Sequence, residues 1–209
     1  MLNMKRRVIA LASAVLGAVL VATIAGCAAF SQGLGDLNAA LSGRSGVMRT
    51  YDENSRVIDQ ISGVSFRFAR DTKFDTHNSE GSNNDSSVVE ISLGNSHIYH
   101  VGSTLIFAES GLTEVTKDLP ASAQFANSTP GTPWLNSIRE RFQNSWQGKA
   151  KTIMIRSQNG TPLAVYAGDK VEIFPSDIPK TTVFRIDGKY LLVYRADYGV
   201  VDSDLLGGK

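Results

Sequence analysis

The chain has 209 residues, 21 basic against 20 acidic side chains, 42% hydrophobic residues and one cysteine. So even a charge leaves no basic footprint for nucleic acid, and none is expected as a partner. A single thiol excludes an internal disulfide, so the fold must rest on its own core.

The N-terminus divides into three zones. Lys5, Arg6 and Arg7 form a positive stretch, residues 8–24 carry no charge, and Ile24-Ala25-Gly26-Cys27 closes the apolar run with small residues and a thiol. The first two zones are those of an export signal. The tetrapeptide resembles the lipobox of bacterial lipoprotein precursors. The resemblance implies cleavage between Gly26 and Cys27, with diacylglycerol on the Cys27 sulfur and palmitate-type acyl chains in the membrane. Two chains suffice for stable anchoring, since each buried methylene contributes about 0.8 kcal/mol. A spanning helix over residues 8–30 is the alternative, because that stretch approaches the ~20 residues needed. It leaves the small residues and the cysteine unexplained. With the leader's three basic residues removed, 18 basic side chains remain against 20 acidic.

Residues 27–46 are rich in glycine, serine and alanine and read as a flexible tether behind the lipidated cysteine. From residue 47 the texture is of short β runs. Strands are expected at 47–51 and 56–61 around Asp52-Glu53-Asn54-Ser55, then at 64–69, where Phe66 and Phe68 alternate with Ser65 and Arg67. Residues 72–87 are polar and read as a long exposed loop. Strands at 88–93 and 97–101 flank Gly94-Asn95-Ser96, and 104–108 gives one more.

Residues 111–148 form a linker and one helix. Thr132 suits an N-cap, Pro133 the first turn and Gly148 the C-terminal stop. Trp134, Ile138, Phe142 and Trp146 recur every four residues, one stripe of an amphipathic helix over 133–147. Strands resume at 152–156 and 162–166 around Asn159-Gly160, at 170–174, at 183–186 and 190–195 around Asp187-Gly188, and at 198–201. The first β stretch, 47–110, and the second, 149–209, run in parallel. Ser62-Gly63 answers to Ala167-Gly168, and the glycine hairpin at Gly94 to that at Gly188. The expected class is therefore mainly β, about ten to twelve short antiparallel strands in a barrel or sandwich, as two related modules with one helix.

Val47-Met48-Arg49-Thr50-Tyr51-Asp52, Ser157-Gln158-Asn159-Gly160-Thr161-Pro162, and Tyr194-Arg195-Ala196-Asp197-Tyr198 with Asp202-Ser203-Asp204-Leu205-Leu206 resemble a family of uncharacterised lipoproteins of Gram-positive bacteria. The resemblance implies a cell-surface lipoprotein of unknown function, and it brings no catalytic or ligand residues.

Chemistry has to be sought residue by residue. His97 and His100 would suit a metal on a helix, but on a strand they point to opposite faces, and His77 lies in the polar loop. Asp197, Asp202 and Asp204 lack the spacing of a calcium loop. No Gly-x-Ser-x-Gly, Ser-x-x-Lys or phosphate-binding loop occurs. No metal, cofactor or catalytic residue is expected. Trp134, Trp146, Tyr166 and Tyr194 are the aromatic candidates for lining a ligand groove. The sequence thus points to a non-enzymatic binding or envelope-interaction module on the outer face of the cell membrane, held by Cys27 and contacting an envelope protein or the cell wall. An envelope hydrolase and a small-ligand carrier are the alternatives.

Overall fold

The computed structural model describes residues 39, 41–77, 83–115 and 149–205. The chain divides into two units, Met1–Ala40 and Leu41–Lys209, and the fold below is that of the second. The lipobox with Cys27, the helix expected at 133–147 and both tryptophans lie outside the described residues.

The described chain is mainly β, and all its strand pairs are antiparallel. The strands are β1 (Arg44–Tyr51), β2 (Val57–Arg70), β3 (Thr76–His77), β4 (Asn83–Asn84), β5 (Val89–Leu93), β6 (Ser96–His100), β7 (Thr104–Glu109), β8 (Lys151–Arg156), β9 (Pro162–Gly168), β10 (Val171–Pro175), β11 (Thr181–Ile186), β12 (Lys189–Tyr194) and β13 (Asp197–Asp202). Eight of them form one sheet in the order β10-β11-β12-β7-β1-β2-β5-β6, and β13-β8-β9 form a second. The large sheet runs open from β10 to β6, so of the barrel and the sandwich expected, a closed barrel does not form.

Two expectations need correction. The strands foreseen at 56–61 and 64–69 are one strand, β2. The Ser62-Gly63 break is a bulge, with the register against β1 shifting between Gly46↔Gly63 and Arg44↔Phe66 and Ser65 at φ 61°. The fold also begins before residue 47. Leu41 is buried, the Gly43 amide donates to the Phe66 carbonyl, and β1 starts at Arg44, whose guanidinium pairs with Glu109 at 3.1 Å. The polar stretch 72–87 carries a one-turn 3-10 helix, Thr72–Phe74, and the small hairpin β3–β4.

The turns follow from their residues. Asp187 (φ 48°) and Gly188 (φ 84°) both adopt left-handed backbone, the requirement of a type I′ turn, and they join β11 to β12 with Ile186 opposite Lys189. The β1–β2 and β8–β9 hairpins close differently. The Asp52 amide donates to Arg56 O and the Ser55 amide to Asp52 O, while the Ser157 amide donates to Thr161 O and the Gly160 amide to Ser157 O.

Those two loops are counterparts, and so are the strands around them. In β1–β2, Tyr51 pairs with Val57 and Met48 with Ile61; 105 residues on, Arg156 pairs with Pro162 and Ile153 with Tyr166. At the same step Phe66 opens the pairing with β5 and Val171 the pairing with β11. From β5 onward the step is 93. Val89↔His100 becomes Thr182↔Val193, and Tyr51↔Thr104 on β7 becomes Arg156↔Asp197 on β13. The steps differ by 12 because residues 71–88 number 18 where residues 176–181 number 6. The closing bond recurs too: Ser110 N donates to Ser45 O and Ser203 N to Ala150 O. One strand-pairing pattern is therefore written twice in this chain. In the first copy the bulged β2 keeps β1, β2, β5, β6 and β7 in one sheet. In the second, the chain breaks between β9 and β10, so β10–β12 extend the large sheet and β8, β9 and β13 form the small one.

The joint between the copies is β12 on β7, with Leu192 opposite Phe107 and Tyr194 opposite Leu105. Both strands are covered on both faces, which explains their near-continuous apolar sequences. Ile106, Leu191 and Val193 belong to a core with Ile153, Ile155, Ala164 and Tyr166 of the small sheet. On the other face Phe107 meets Phe66 and Phe68 at ring distances of 4.9 and 5.0 Å.

Candidate functional site

Tyr166 and Tyr194 do not reach a groove. Both are fully buried, and neither is among the lining residues of the two clefts described below. Tyr166 packs in the core between the sheets, where burial pushes its phenol pKa well up, with the Glu114 carboxylate adding to the rise. Nearby, burial raises the Tyr51 phenol, the Arg49 guanidinium draws it partly back, and Glu114 adds to the rise. Arg49 holds Glu114 at 2.9 Å and Gln60 at 2.7 Å, fixing the segment that bridges to Tyr166. Tyr194 donates its hydroxyl to Ser87 O at 2.8 Å and meets the edge of His100.

The histidines of β6 are separated as the strand period requires. His97 Nδ1 lies 2.8 Å from Glu90 Oε1, while His100 Nε2 lies 2.9 Å from Ser103 O. Ser92 Oγ also approaches His97 Nδ1, at 3.3 Å. Serine, histidine and glutamate therefore meet on an exposed strand face. A relay needs the serine on one ring nitrogen and the acid on the other. Here both use Nδ1, so the trio is a surface network. Among the described residues no cluster of His, Cys, Asp or Glu has metal-site geometry. Asp202 pairs with Lys151, and Asp197 lies at the rim of a cleft.

That cleft, about 840 Å³, lies between β10, the β10–β11 turn and the start of β13. Ile173, Phe174, Ile178 and Tyr198 give it apolar surface, and Lys180, Arg195 and Asp197 are the charged residues of its wall. Tyr198 is held by Thr182 Oγ1 at 3.3 Å and by the edge of Phe184 at 5.0 Å. Lys180 (φ 62°) and Arg195 (φ 52°) both carry left-handed backbone, which costs a residue with a Cβ about 1–2 kcal/mol. Arg195 is pinned there. Its amide donates to Lys180 O at 3.0 Å, and its carbonyl accepts from Thr104 Oγ1 at 2.7 Å and from Gln158 Nε2 at 3.3 Å. Its Nε is buried with no hydrogen-bond partner among the described residues. Sequence reasoning missed both cations. The signal that could have found them is the duplication itself, because the 93-residue step sets Arg195 where the first copy has Gly102, at φ 101°.

The same step shows what the cleft corresponds to. Leu105, Ser87 and Phe68 of the first copy answer to Tyr198, Lys180 and Ile173, all in the cleft wall. In the first copy that place is filled: Tyr194, at the end of β12, pairs with Leu105 and bonds Ser87 O. A second, smaller cleft of about 600 Å³ lies where the two copies meet, with Asp52 and Ser157, Asn54 and Asn159, and Gly102 and Arg195 as counterparts in its wall.

The family model described as "Domain of unknown function (DUF5052)" matches residues 7–206. The chain belongs to this family. The DUF5052 match spans both copies of the strand pattern and Cys27. No curated protein and no solved structure matches. Family membership therefore assigns DUF5052 residues no chemistry, and the cleft has to be interpreted from its own geometry.

Proposed function

We propose that this protein is a lipoprotein held on the outer face of the cell membrane through Cys27, and that its β fold is a binding module, with the cleft beside β13 as the receiving site. Support for the anchor is the positive stretch, apolar run and Ile24-Ala25-Gly26-Cys27 sequence. The observation that carries the binding role is the filled counterpart. Where the first copy receives the end of β12, the second offers an open cleft with an apolar wall, two cations and a strained arginine. Such a site suits an extended polypeptide that adds its backbone to β13 and lowers an apolar side chain into the cleft.

Both parts are open to direct trial. In cells fed an alkyne-tagged fatty acid, the wild type takes up label and Cys27→Ser does not; label on the variant would refute the anchor. For the cleft, the full-length protein in detergent is titrated with a fluorescent peptide of residues 189–196. Saturable binding that a scrambled peptide does not reproduce supports the site, and equal behaviour of the two peptides rejects it.

A further inference from the structure

The joint between the two copies uses one strand from each, β12 of the second on β7 of the first. By the 93-residue step β12 is the counterpart of β6, and β7 is the counterpart of β13. The complementary joint, β6 on β13, is not made within the chain. β6 ends the large sheet and β13 ends the small one, and among the described residues neither has a strand on its outer side.

The side chains at these two edges match those of the joint. Leu192 and Tyr194 of β12 are 0% exposed, whereas Tyr99 and Val101, which answer to them, are 55% and 61% exposed. On the receiving side Leu105 is 0% exposed, and its counterpart Tyr198 is 39% exposed. Large apolar side chains at exposed sheet edges invite pairing with another chain. The ends of the edges also correspond. The Tyr190 amide donates to the Glu109 carboxylate at 2.8 Å, and the counterparts are His97 on β6 and the Asp202 carboxylate on β13. An acidic acceptor is thus present where the joint uses one.

We propose that the occupant of the β13 edge and its cleft is β6 of a second copy of this chain, docked in the register of the internal joint. Transferred by the 93-residue step, Leu192↔Phe107 becomes Tyr99 opposite Val200, and Tyr194↔Leu105 becomes Val101 opposite Tyr198. Val101 then enters the cleft whose counterpart in the first copy is filled by Tyr194. Because the two edges differ, the contact is head-to-tail, and it extends into a row unless a reciprocal contact closes it. This inference rests on the proposal that the cleft receives an extended strand, and it names the strand.

The chain's single cysteine makes the test clean, since the proposed acylation removes that thiol from exchange. In full-length protein in membranes, Tyr99→Cys with Val200→Cys is expected to give linked dimers or a ladder on mild oxidation. Each single variant should give at most a trace. Val64→Cys with Val200→Cys is the control, because Val64 is 69% exposed on β2, which β5 separates from β6. No linkage in the Tyr99 pair, or equal linkage in the control pair, overturns the inference. A second measurement avoids any dependence on disulfide geometry. Tyr99→Asp with Val101→Asp, both on exposed positions, is expected to abolish concentration-dependent association in sedimentation while leaving the circular dichroism of the sheet unchanged. Association as strong as wild type overturns it. Binding of the 189–196 peptide without self-association would sink this inference and leave the receiving site standing, whereas loss of both would sink the two together.

Discussion

Gly63 and Gly168 lie beneath counterpart side chains. A Cβ on Gly63 would stand 2.9 Å from Leu93 Cδ2, and one on Gly168 would stand 2.4 Å from Ile186 Cγ2. Leu93 and Ile186 are themselves related by the 93-residue step, so the two copies share a steric requirement as well as a register. Each glycine lets the end of β5 or β11 cross close over the hairpin.

The two sites differ in how far they can give. Leu93 meets the added atom with the far end of a flexible side chain. Ile186 meets it with a branch at Cβ, and Asp187 Oδ2 adds a contact at 3.1 Å. Gly168→Ala should therefore cost about 2–3 kcal/mol and Gly63→Ala about 1 kcal/mol, within the range for overpacked sites. Urea unfolding of the two variants measures the order, and equal losses would contradict the argument.

Ser55 stands where the second copy has Gly160, and both are left-handed, at φ 64° and 86°. The Ser55 hydroxyl is also buried without a partner among the described residues. Ser55→Gly removes the backbone strain and the unsatisfied hydroxyl together, and both effects have the same sign. The variant should gain roughly 1 kcal/mol, read as a higher melting temperature. A loss of stability would show that the serine makes a contact of greater worth.

Much of this fold was legible in the sequence because local chemistry fixed it. Asp187-Gly188 marked its turn, and the apolar runs on either side marked β11 and β12. Ser62-Gly63 misled, since a bulge and a turn use the same residues, and only the pairing of Arg44 with Phe66 distinguishes them. The parallel between the two β stretches was visible as a repeated order of hairpins, but the joint of β12 on β7 was not. Pairing between strands distant in sequence leaves no local pattern. The same holds for the cleft. Tyr166 and Tyr194 drew attention as aromatics on strands, yet strands covered on both faces bury every side chain. Lys180 and Arg195 escaped notice because their importance lies in backbone conformation.

Arg195 is expected to separate stability from binding. Its counterpart Gly102 occupies left-handed backbone without a Cβ, so Arg195→Gly relieves strain while keeping the amide bond to Lys180 O and the carbonyl bond to Thr104. The folded state should hold or gain up to about 1 kcal/mol. Affinity for the 189–196 peptide should fall several-fold, because the cleft loses the part of its wall that the Arg195 side chain supplies. Unchanged affinity would remove Arg195 from the site.

The buried tyrosines predict the alkaline limit of the fold. Burial raises the pKa of Tyr166 well above 10, and burial raises that of Tyr51 as well, against the pull of Arg49. In the unfolded chain both phenols ionise near pH 10, while the folded chain keeps them neutral. Above that pH the unfolded state binds fewer protons than the folded one, so stability falls as pH rises. The contribution of the neutral phenols is complete below about pH 10 and is lost as pH climbs toward their folded values. The slope reaches about 1.4 kcal/mol per pH unit for each tyrosine still neutral in the fold. Urea midpoints measured from pH 8 to pH 11 should therefore decline beyond pH 10 in the wild type. Tyr166→Phe lowers the baseline by the loss of its hydroxyl, but it should flatten the decline, because one of the two groups no longer titrates in the unfolded state. A decline as steep in Tyr166→Phe as in the wild type would show that Tyr166 does not set the limit.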